Sequence, residues 1–227
     1  MNLTLSGAEQ EALLLSLRVS TVAIAVALPF AFLAALLLAR VRFPGKSLIE
    51  GVLYLPLVLP PVAVGFLLLS TFGTRAGLGG WLYHHFSIRF VFSWTGAALA
   101  SGLITFPLQL RAVGQALEAA DRGLIEAAKT LGAGPLDRLV NVIVPLAWPG
   151  ILSGAITAFA ASLGEFGAII TFVSNIPGET RTLPLAIYTA LQSPGGDFEA
   201  ARLSMISIAL ALLFVALANL ATRRIRL

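Results

Sequence analysis

Long, uncharged, apolar stretches dominate the pattern of the chain. They cover residues 19–39, 51–74, 90–110, 139–164 and 203–222. A helix needs about 20 mostly apolar residues to cross the hydrocarbon core of a bilayer. The pattern therefore predicts an all-α, polytopic transmembrane protein with five spans, near residues 12–39, 48–72, 91–112, 146–173 and 200–221. We interpret residues 1–227 as a single transmembrane domain.

The composition agrees with a membrane protein. Hydrophobic residues make up 58% of the chain and charged residues 11%, whereas soluble domains hold about 25% charged residues. The chain has no cysteine, which excludes disulfides, thiol nucleophiles and thiolate metal sites. The formal net charge is +4. Because the basic residues flank the apolar stretches, we attribute this charge to membrane topology and expect no nucleic acid partner.

The basic residues also predict an orientation, because cytoplasmic loops of membrane proteins carry an excess of Lys and Arg. Ten of the fifteen basic residues fall in the loop after span one, the loop after span three and the tail: Arg40, Arg42, Lys46, Arg111, Arg122, Lys129, Arg138, Arg223, Arg224 and Arg226. These segments are expected in the cytoplasm. The N-terminus is then outside and the C-terminus cytoplasmic.

Several predicted spans contain helix breakers. Span two carries Pro56, Pro60, Pro61 and Gly65, and spans three and four also contain prolines. One interpretation is that these residues kink helices for packing. The other is that the double proline shapes a broken helix that lines a pathway.

The second external loop, residues 174–200, contains the signals of a short helix. Thr182 is a candidate N-cap, and Pro184 suits a first helical turn. The apolar residues that follow fall near one helical face: Leu183, Ile187, Ala190 and Leu191. We expect a short helix that lies on the outer membrane surface or dips into it and ends at the SPGG sequence of residues 193–196.

Residues 114–145 form a polar insert between apolar spans. Apolar residues recur in it at helical spacing: Leu117, Ala120, Leu124, Ala127, Ala128 and Leu131. Asp121 is a candidate N-cap, Gly132 and Gly134 end the helix, and Pro135 can begin a second one. We expect a cytoplasmic helix–turn–helix with an apolar stripe. The stripe either packs on the protein's own cytoplasmic ends or docks on a soluble partner.

The spacing within this insert resembles the signature loop of ABC importer permeases. The family pattern is E-A-A, three residues, G, nine residues and I-x-L-P. Here Glu126, Ala127, Ala128 and Gly132 fill its first part, and residues 142–145 fill the second, with valine replacing isoleucine and leucine. In that family the loop is a coupling helix seated in a groove of the ATP-binding subunit. The resemblance implies ATPase contact through Glu126, Ala127, Ala128, Leu131, Gly132 and Pro145.

Residues 43–69 and 162–196 look like the membrane subunits of bacterial molybdate importers, and related sulfate permeases share the L-G-E-F-G element. The resemblance implies a type I ABC importer permease fold in the bacterial inner membrane. It also implies a homodimer with two copies of a cytoplasmic ATP-binding subunit, an external molybdate-binding protein and surrounding lipid. Sulfate and tungstate remain alternative substrates.

The sequence itself bears on catalysis. It lacks a G-x-x-x-x-G-K-[ST] phosphate loop, so ATP hydrolysis is expected in a separate polypeptide. We expect no enzyme activity, cofactor or metal in this chain. A secondary transporter or channel is the competing class, and it would predict discontinuous spans at matching positions of two halves. Five spans do not divide into two such halves.

Glu165 is the one acidic residue deep inside an apolar span, and such residues are candidates for function. Its expected partner is Ser162, one turn earlier, or a residue of another helix. A carboxylate would repel a molybdate dianion. Three roles remain open: a structural hydrogen bond at the dimer interface or gate, a protonated carboxyl that donates to the oxyanion, and a charge lining the external vestibule. The candidate translocation path or gate comprises Pro60, Pro61, Ser162, Glu165 and Phe166.

Overall fold

The computed structural model describes residues 5–41, 43–75 and 77–223, and over these ranges the chain is almost entirely helical. This confirms the predicted all-α class. Arg42, Arg224 and Arg226, which contributed to the predicted orientation, lie outside the described residues. In chain order the helices are α1 Gly7–Arg40, α2 Lys46–Val58, α3 Pro61–Phe72, α4 Gly77–Phe86, α5 Trp94–Glu118, α6 Arg122–Thr130, α7 Pro135–Arg138, α8 Val144–Leu163, α9 Gly167–Val173, α10 Leu183–Leu191 and α11 Asp197–Arg223.

The helix lengths are compatible with the five predicted spans. Within the described residues, α1, α5, α8 with the segment before it, and α11 are long and apolar enough to cross a bilayer. The predicted second span is divided into α2 and α3, which meet at a bend of 112°. The predicted fourth span, residues 146–173, is also interrupted, because α8 ends at Leu163 and α9 starts at Gly167.

The first helix starts earlier than predicted because its first turn is capped and anchored. Ser6 and Glu9 form a capping box, in which each side chain accepts a hydrogen bond from the other residue's backbone N–H. The Glu9 carboxylate also accepts hydrogen bonds from the Arg202 guanidinium on α11, with 3.0 Å from Nε to Oε1. Glu9 is buried, so this ion pair joins the start of α1 firmly to α11.

Two apolar cores lie at opposite ends of the bundle. At the end that carries α10, α1 and α5 pack with α3, α9 and α10 around Phe172 and Ile169. At the end where α5 leads into α6, the other halves of α1 and α5 pack with α8 around Leu110 and Ile151. We call these the α10 end and the α6 end.

The bent pair α2–α3 connects the two ends of the bundle. Leu53 and Tyr54 of α2 pack on the core at the α6 end, whereas Val64 and Leu68 of α3 belong to the core at the α10 end. The pair therefore runs from one core to the other, as expected of a single broken span.

The short helix predicted in residues 174–200 is present as α10, with Thr182 at the N-cap position and Pro184 in the first turn. The Thr182 hydroxyl does not cap the helix. Instead, Ser16 of α1 accepts a hydrogen bond from the Leu183 N–H at 2.6 Å. This bond fixes α10 against α1.

Candidate functional site

Helix α6 is defined by a cap at each of its ends. The Asp121 side chain accepts a hydrogen bond from the Gly123 N–H at 2.7 Å, as predicted for the N-cap. At the other end, Gly132 has φ +87°, its N–H donates to Lys129 and the Ala133 N–H donates to Ala128. This is a Schellman motif, in which a glycine after the helix takes the left-handed conformation. The sequence thus stops α6 after nine residues.

The predicted apolar stripe divides into two parts. Leu117 packs with the core at the α6 end and Ala120 is buried. By contrast, Leu124 is 50% exposed and Leu131 87% exposed. Helix α6 packs mainly on α7 and on the turn that follows α7. The described part of the bundle therefore covers only the first part of the stripe.

A π-helical turn, Leu139–Ile143, joins α7 to α8. Pro145 lies at the start of α8 and has no N–H to continue an α-helical ladder. The wider turn accommodates this change, with the Val144 N–H donating to the Leu139 carbonyl five residues earlier. Pro145 is thereby placed on the helix that leads away from α6.

The two helix breaks meet inside the α10 half of the bundle. A Cβ on Gly167, the first residue of α9, would lie 2.9 Å from Cβ of Pro61, the first residue of α3. A Cβ on Gly65 would lie 2.7 Å from the Ala168 carbonyl oxygen. These glycines therefore allow α3 and α9 to approach closely. The contact places Pro61 against Gly167, two residues after Glu165.

Glu165 occupies the break between α8 and α9. Its side chain is buried, and Oε1 accepts a hydrogen bond from the Ala168 N–H at 2.8 Å. The backbone N–H groups of Phe166 and Gly167 also face this carboxylate. Glu165 thus caps the start of α9, which favours the first of its three predicted roles.

Ser162 does not bond to Glu165 through its side chain, contrary to expectation. Its hydroxyl is 2.6 Å from that of Ser101 on α5 and donates to that of Ser20 on α1 at 2.9 Å. All three serines are buried. Hydroxyl contacts of this kind tie helices together where the surroundings are apolar. The end of α8 is thereby fixed to α1 and α5.

Sequence reasoning missed three further buried polar residues. Ser20 and Ser101 complete the serine cluster, and Gln109 on α5 is fully buried with no partner for its amide among the described residues. The only signal in the sequence was that each of these polar residues lies within an apolar stretch. Their pairing depends on how α1, α5 and α8 pack, which periodicity does not specify.

The structure places the predicted site residues in two groups. Glu126, Ala127, Ala128, Leu131 and Gly132 lie on or directly after α6, with Pro145 beyond the π turn. Pro60, Pro61, Ser162, Glu165 and Phe166 lie at the two helix breaks. Helix α8 starts near the first group and ends in the second. An apolar bundle with interrupted helices in one half and a projecting amphipathic helix at one end is the architecture of a membrane permease subunit.

Comparison with known proteins identifies the particular family. Residues 27–227 match the family described as binding-protein-dependent transport system inner membrane component, and the chain belongs to this family. The chain is 56% identical over 209 residues to the molybdenum transport system permease protein ModB of Escherichia coli, covering 92% of this chain and 91% of that protein. It is 34% identical over 194 residues to the sulfate transport system permease protein CysT of Escherichia coli, covering 86% and 70%.

A solved structure agrees on the fold. A chain of the bacterial alginate ABC transporter, crystallised with its alginate-bound periplasmic protein, superposes with a TM-score of 0.75 and 22% identity. The match covers 97% of this chain and 80% of that one. The chain is a multi-pass inner-membrane protein with an ABC importer permease fold.

Substitutions at Glu165 should separate a hydrogen-bonding role from a charge role. Glu165→Gln keeps an acceptor for the Ala168 N–H, so transport and thermal stability should stay near those of the parent. Glu165→Leu leaves that buried N–H without a partner, and we expect a loss of about 1–3 kcal/mol in unfolding free energy. Unfolding in detergent and substrate uptake would be measured for both variants.

The matched control is Glu199→Gln, which removes an exposed carboxylate from the first turn of α11. It should change neither quantity. Equal loss of transport in Glu165→Gln and Glu165→Leu would show that the negative charge itself is required.

Proposed function

We propose that this chain forms the translocation path of an ATP-driven molybdate importer and receives force from a cytoplasmic ATPase through α6. The 56% identity to a molybdenum permease over nearly the full length of both chains is the observation that carries the substrate assignment. Sulfate or tungstate transport by the same architecture is the alternative. The 34% identity to a sulfate permease supports this alternative less strongly.

The coupling role rests on the shape and exposure of α6. A soluble partner needs an accessible surface, and Leu124 and Leu131 supply apolar side chains that the rest of the chain leaves exposed. Ala127 is exposed beside them and carries only a methyl group, so the helix can enter a narrow groove. Glu126 and Lys129 form an exposed ion pair at 3.7 Å, which contributes little stability. Apolar contact is the main source of affinity in this proposal.

The assembly that we propose has two copies of this chain, two ATP-binding subunits in the cytoplasm and an external molybdate-binding protein. Its two permease subunits are embedded in lipid. The N-terminus and α10 lie outside, and α6 and the C-terminus lie in the cytoplasm. The excess of basic residues in the loops near α6 supports this orientation.

The substrate proposal is tested by reconstituting this chain in liposomes with an ATP-binding subunit and a molybdate-binding protein. Molybdate loaded on the binding protein should stimulate ATP hydrolysis and enter the liposomes, whereas sulfate should do neither. Stimulation by sulfate and not by molybdate would overturn the substrate assignment. Uptake without any ATPase would instead indicate a secondary transporter or channel.

Ala127→Trp should weaken the coupling contact without disturbing the membrane bundle, because α6 packs mainly on its own hairpin. We expect a loss of about 1–3 kcal/mol in ATPase binding from one misfitted side chain. Gly132→Pro should act similarly, since proline cannot adopt φ +87°. Retention of the ATPase and yield of folded permease dimer would be measured on the same preparation.

Lys129→Trp is the matched control, because it adds the same bulk to the other side of the same helix. It should keep the ATPase bound. If Ala127→Trp instead abolished the dimer with no selective loss of the ATPase, α6 would be part of the permease's own core and the coupling role would be wrong.

Single cysteines test the orientation cleanly, because the chain has no cysteine of its own. Leu191 at the end of α10 is 61% exposed and Leu131 after α6 is 87% exposed. In intact spheroplasts, Leu191→Cys should react with a membrane-impermeant maleimide, and Leu131→Cys should react only after permeabilisation. The cysteine-free parent is the blank. The reverse labelling pattern would invert the assigned topology.

A further inference from the structure

A polar cleft opens at the α6 end of the bundle, between α1, α2 and α5. Its volume is about 240 Å³, and its polar lining comprises Lys46, Glu50, Tyr54, Arg111, Gln115 and Glu118. The coupling surface of α6 and the helix breaks contribute nothing to this lining. The cleft is therefore separate from both groups of candidate site residues.

Among the described side chains, no ion pair joins two charged residues of the cleft. Lys46 and Glu50 lie one turn apart on α2, while Arg111 and Glu118 lie on α5. Among the described residues, the ion pairs are Lys129–Glu126 and Arg202–Glu9, and neither involves a residue of the cleft. The α2 wall and the α5 wall thus each present one cation and one carboxylate that no described ion pair engages.

A second, apolar groove lies nearer the α10 end. It lies between α1 and α5, has a volume of about 490 Å³ and is lined by apolar side chains except for Thr95. Phe106 lines the groove, and Leu110, one turn further along α5, lines the cleft. The groove and the cleft are thus one helical turn apart along α5, and we refer to the pair as one surface.

We propose that this surface binds a zwitterionic phospholipid with a primary amine head group, from the leaflet at the α6 end. The phosphate lies between Lys46 and Arg111, and the ammonium group donates to Glu50 and Glu118. An acyl chain follows the groove past Phe106. Tyr54 stands at the base of the cleft, within electrostatic reach of Glu50, Arg111 and Glu118.

The balance of charges selects this lipid class. Basic pockets between transmembrane helices bind anionic head groups, but among the described side chains of this cleft two carboxylates accompany the two cations. An anionic lipid would leave both carboxylates unmatched. A choline head group has no N–H to donate, whereas a primary ammonium has three. A free oxyanion would be repelled by the carboxylates and would leave the apolar groove empty.

The test uses the full chain purified in detergent and exposed to equal amounts of phosphatidylethanolamine, phosphatidylglycerol and phosphatidylcholine. Native mass spectrometry reads the lipids that remain bound. The parent should retain phosphatidylethanolamine preferentially. Glu50→Gln combined with Glu118→Gln should lower the bound ratio of phosphatidylethanolamine to phosphatidylglycerol about tenfold, because charge-assisted hydrogen bonds to the ammonium are lost. Lys46→Gln combined with Arg111→Gln should lose both lipids.

Arg89→Gln combined with Glu199→Gln is the matched control, since both residues are exposed and line neither cavity. It should retain the parent's lipid ratio. The ratio is read within the bound pool, so a low yield of either cleft variant does not obscure it. An unchanged ratio in the Glu50/Glu118 variant would overturn the proposal. Displacement of the lipid by inorganic phosphate would also overturn the proposal and would identify an oxyanion site. Binding of a protein at this surface of the parent, in place of lipid, would overturn it as well.

Discussion

Helix breaks inside a bilayer require that every freed backbone group finds a partner within the protein. In this structure the two breaks lie against each other, and several of these groups are paired within the chain. Pro60 and Pro61 have no N–H to be left unpaired, and the Pro60 carbonyl accepts hydrogen bonds from Ala63 and Val64. At the other break, Glu165 supplies an acceptor for the Ala168 N–H. The positions of α3 and α9 both depend on this arrangement.

Close packing at the breaks also explains the use of small residues. Gly65 and Gly167 lie where a side chain would collide with α9 or α3. At the α8–α9 break, Glu165 and Gly167 are thereby buried within the protein, which is the condition under which a membrane protein tolerates irregular backbone. At the other break, Pro60 and Pro61 are exposed in the single chain. The enclosure at the α8–α9 break keeps Glu165 buried, since its carboxylate faces backbone N–H groups instead of hydrocarbon.

Much of the fold could be predicted from the sequence because its signals are local. Apolar stretches of sufficient length specified the long helices, and Asp121, Gly132 and Pro135 specified the ends of α6 and α7. The bend between α2 and α3 was predictable as a break at the double proline, but its angle was not. The interruption after Leu163 was missed, because no proline marks it and Glu165 stabilises it through a hydrogen bond that only the folded backbone creates.

The two groups of candidate site residues were predictable to different degrees, because only one of them is marked by a local sequence pattern. The residues of α6 follow a fixed spacing along the chain and could be found without a structure. The serine cluster joins residues far apart in sequence, Ser20, Ser101 and Ser162, so its existence depends on how three helices pack. The charged cleft likewise combines α2 with α5, and no local pattern connects them.

One continuous element links the two groups of site residues. Residues Pro135–Leu163 form a helical segment of 29 residues, roughly 40 Å long at about 1.5 Å per residue. Its first turn, α7, follows α6, and the π turn Leu139–Ile143 joins α7 to α8. Its last turn carries Ser162, which is hydrogen-bonded to α1 and α5. Along its middle, a Cβ on Gly150 would lie 2.7 Å from Cβ of Ala116, so the helix is packed closely on α5. In the proposed role, force applied at α6 acts on this helical segment, whose other end is fixed through Ser162 close to Glu165. In this proposal, a displacement of α6 by the ATPase moves the bundle first where the two breaks meet. The helices are already interrupted there, so the fewest backbone hydrogen bonds must change.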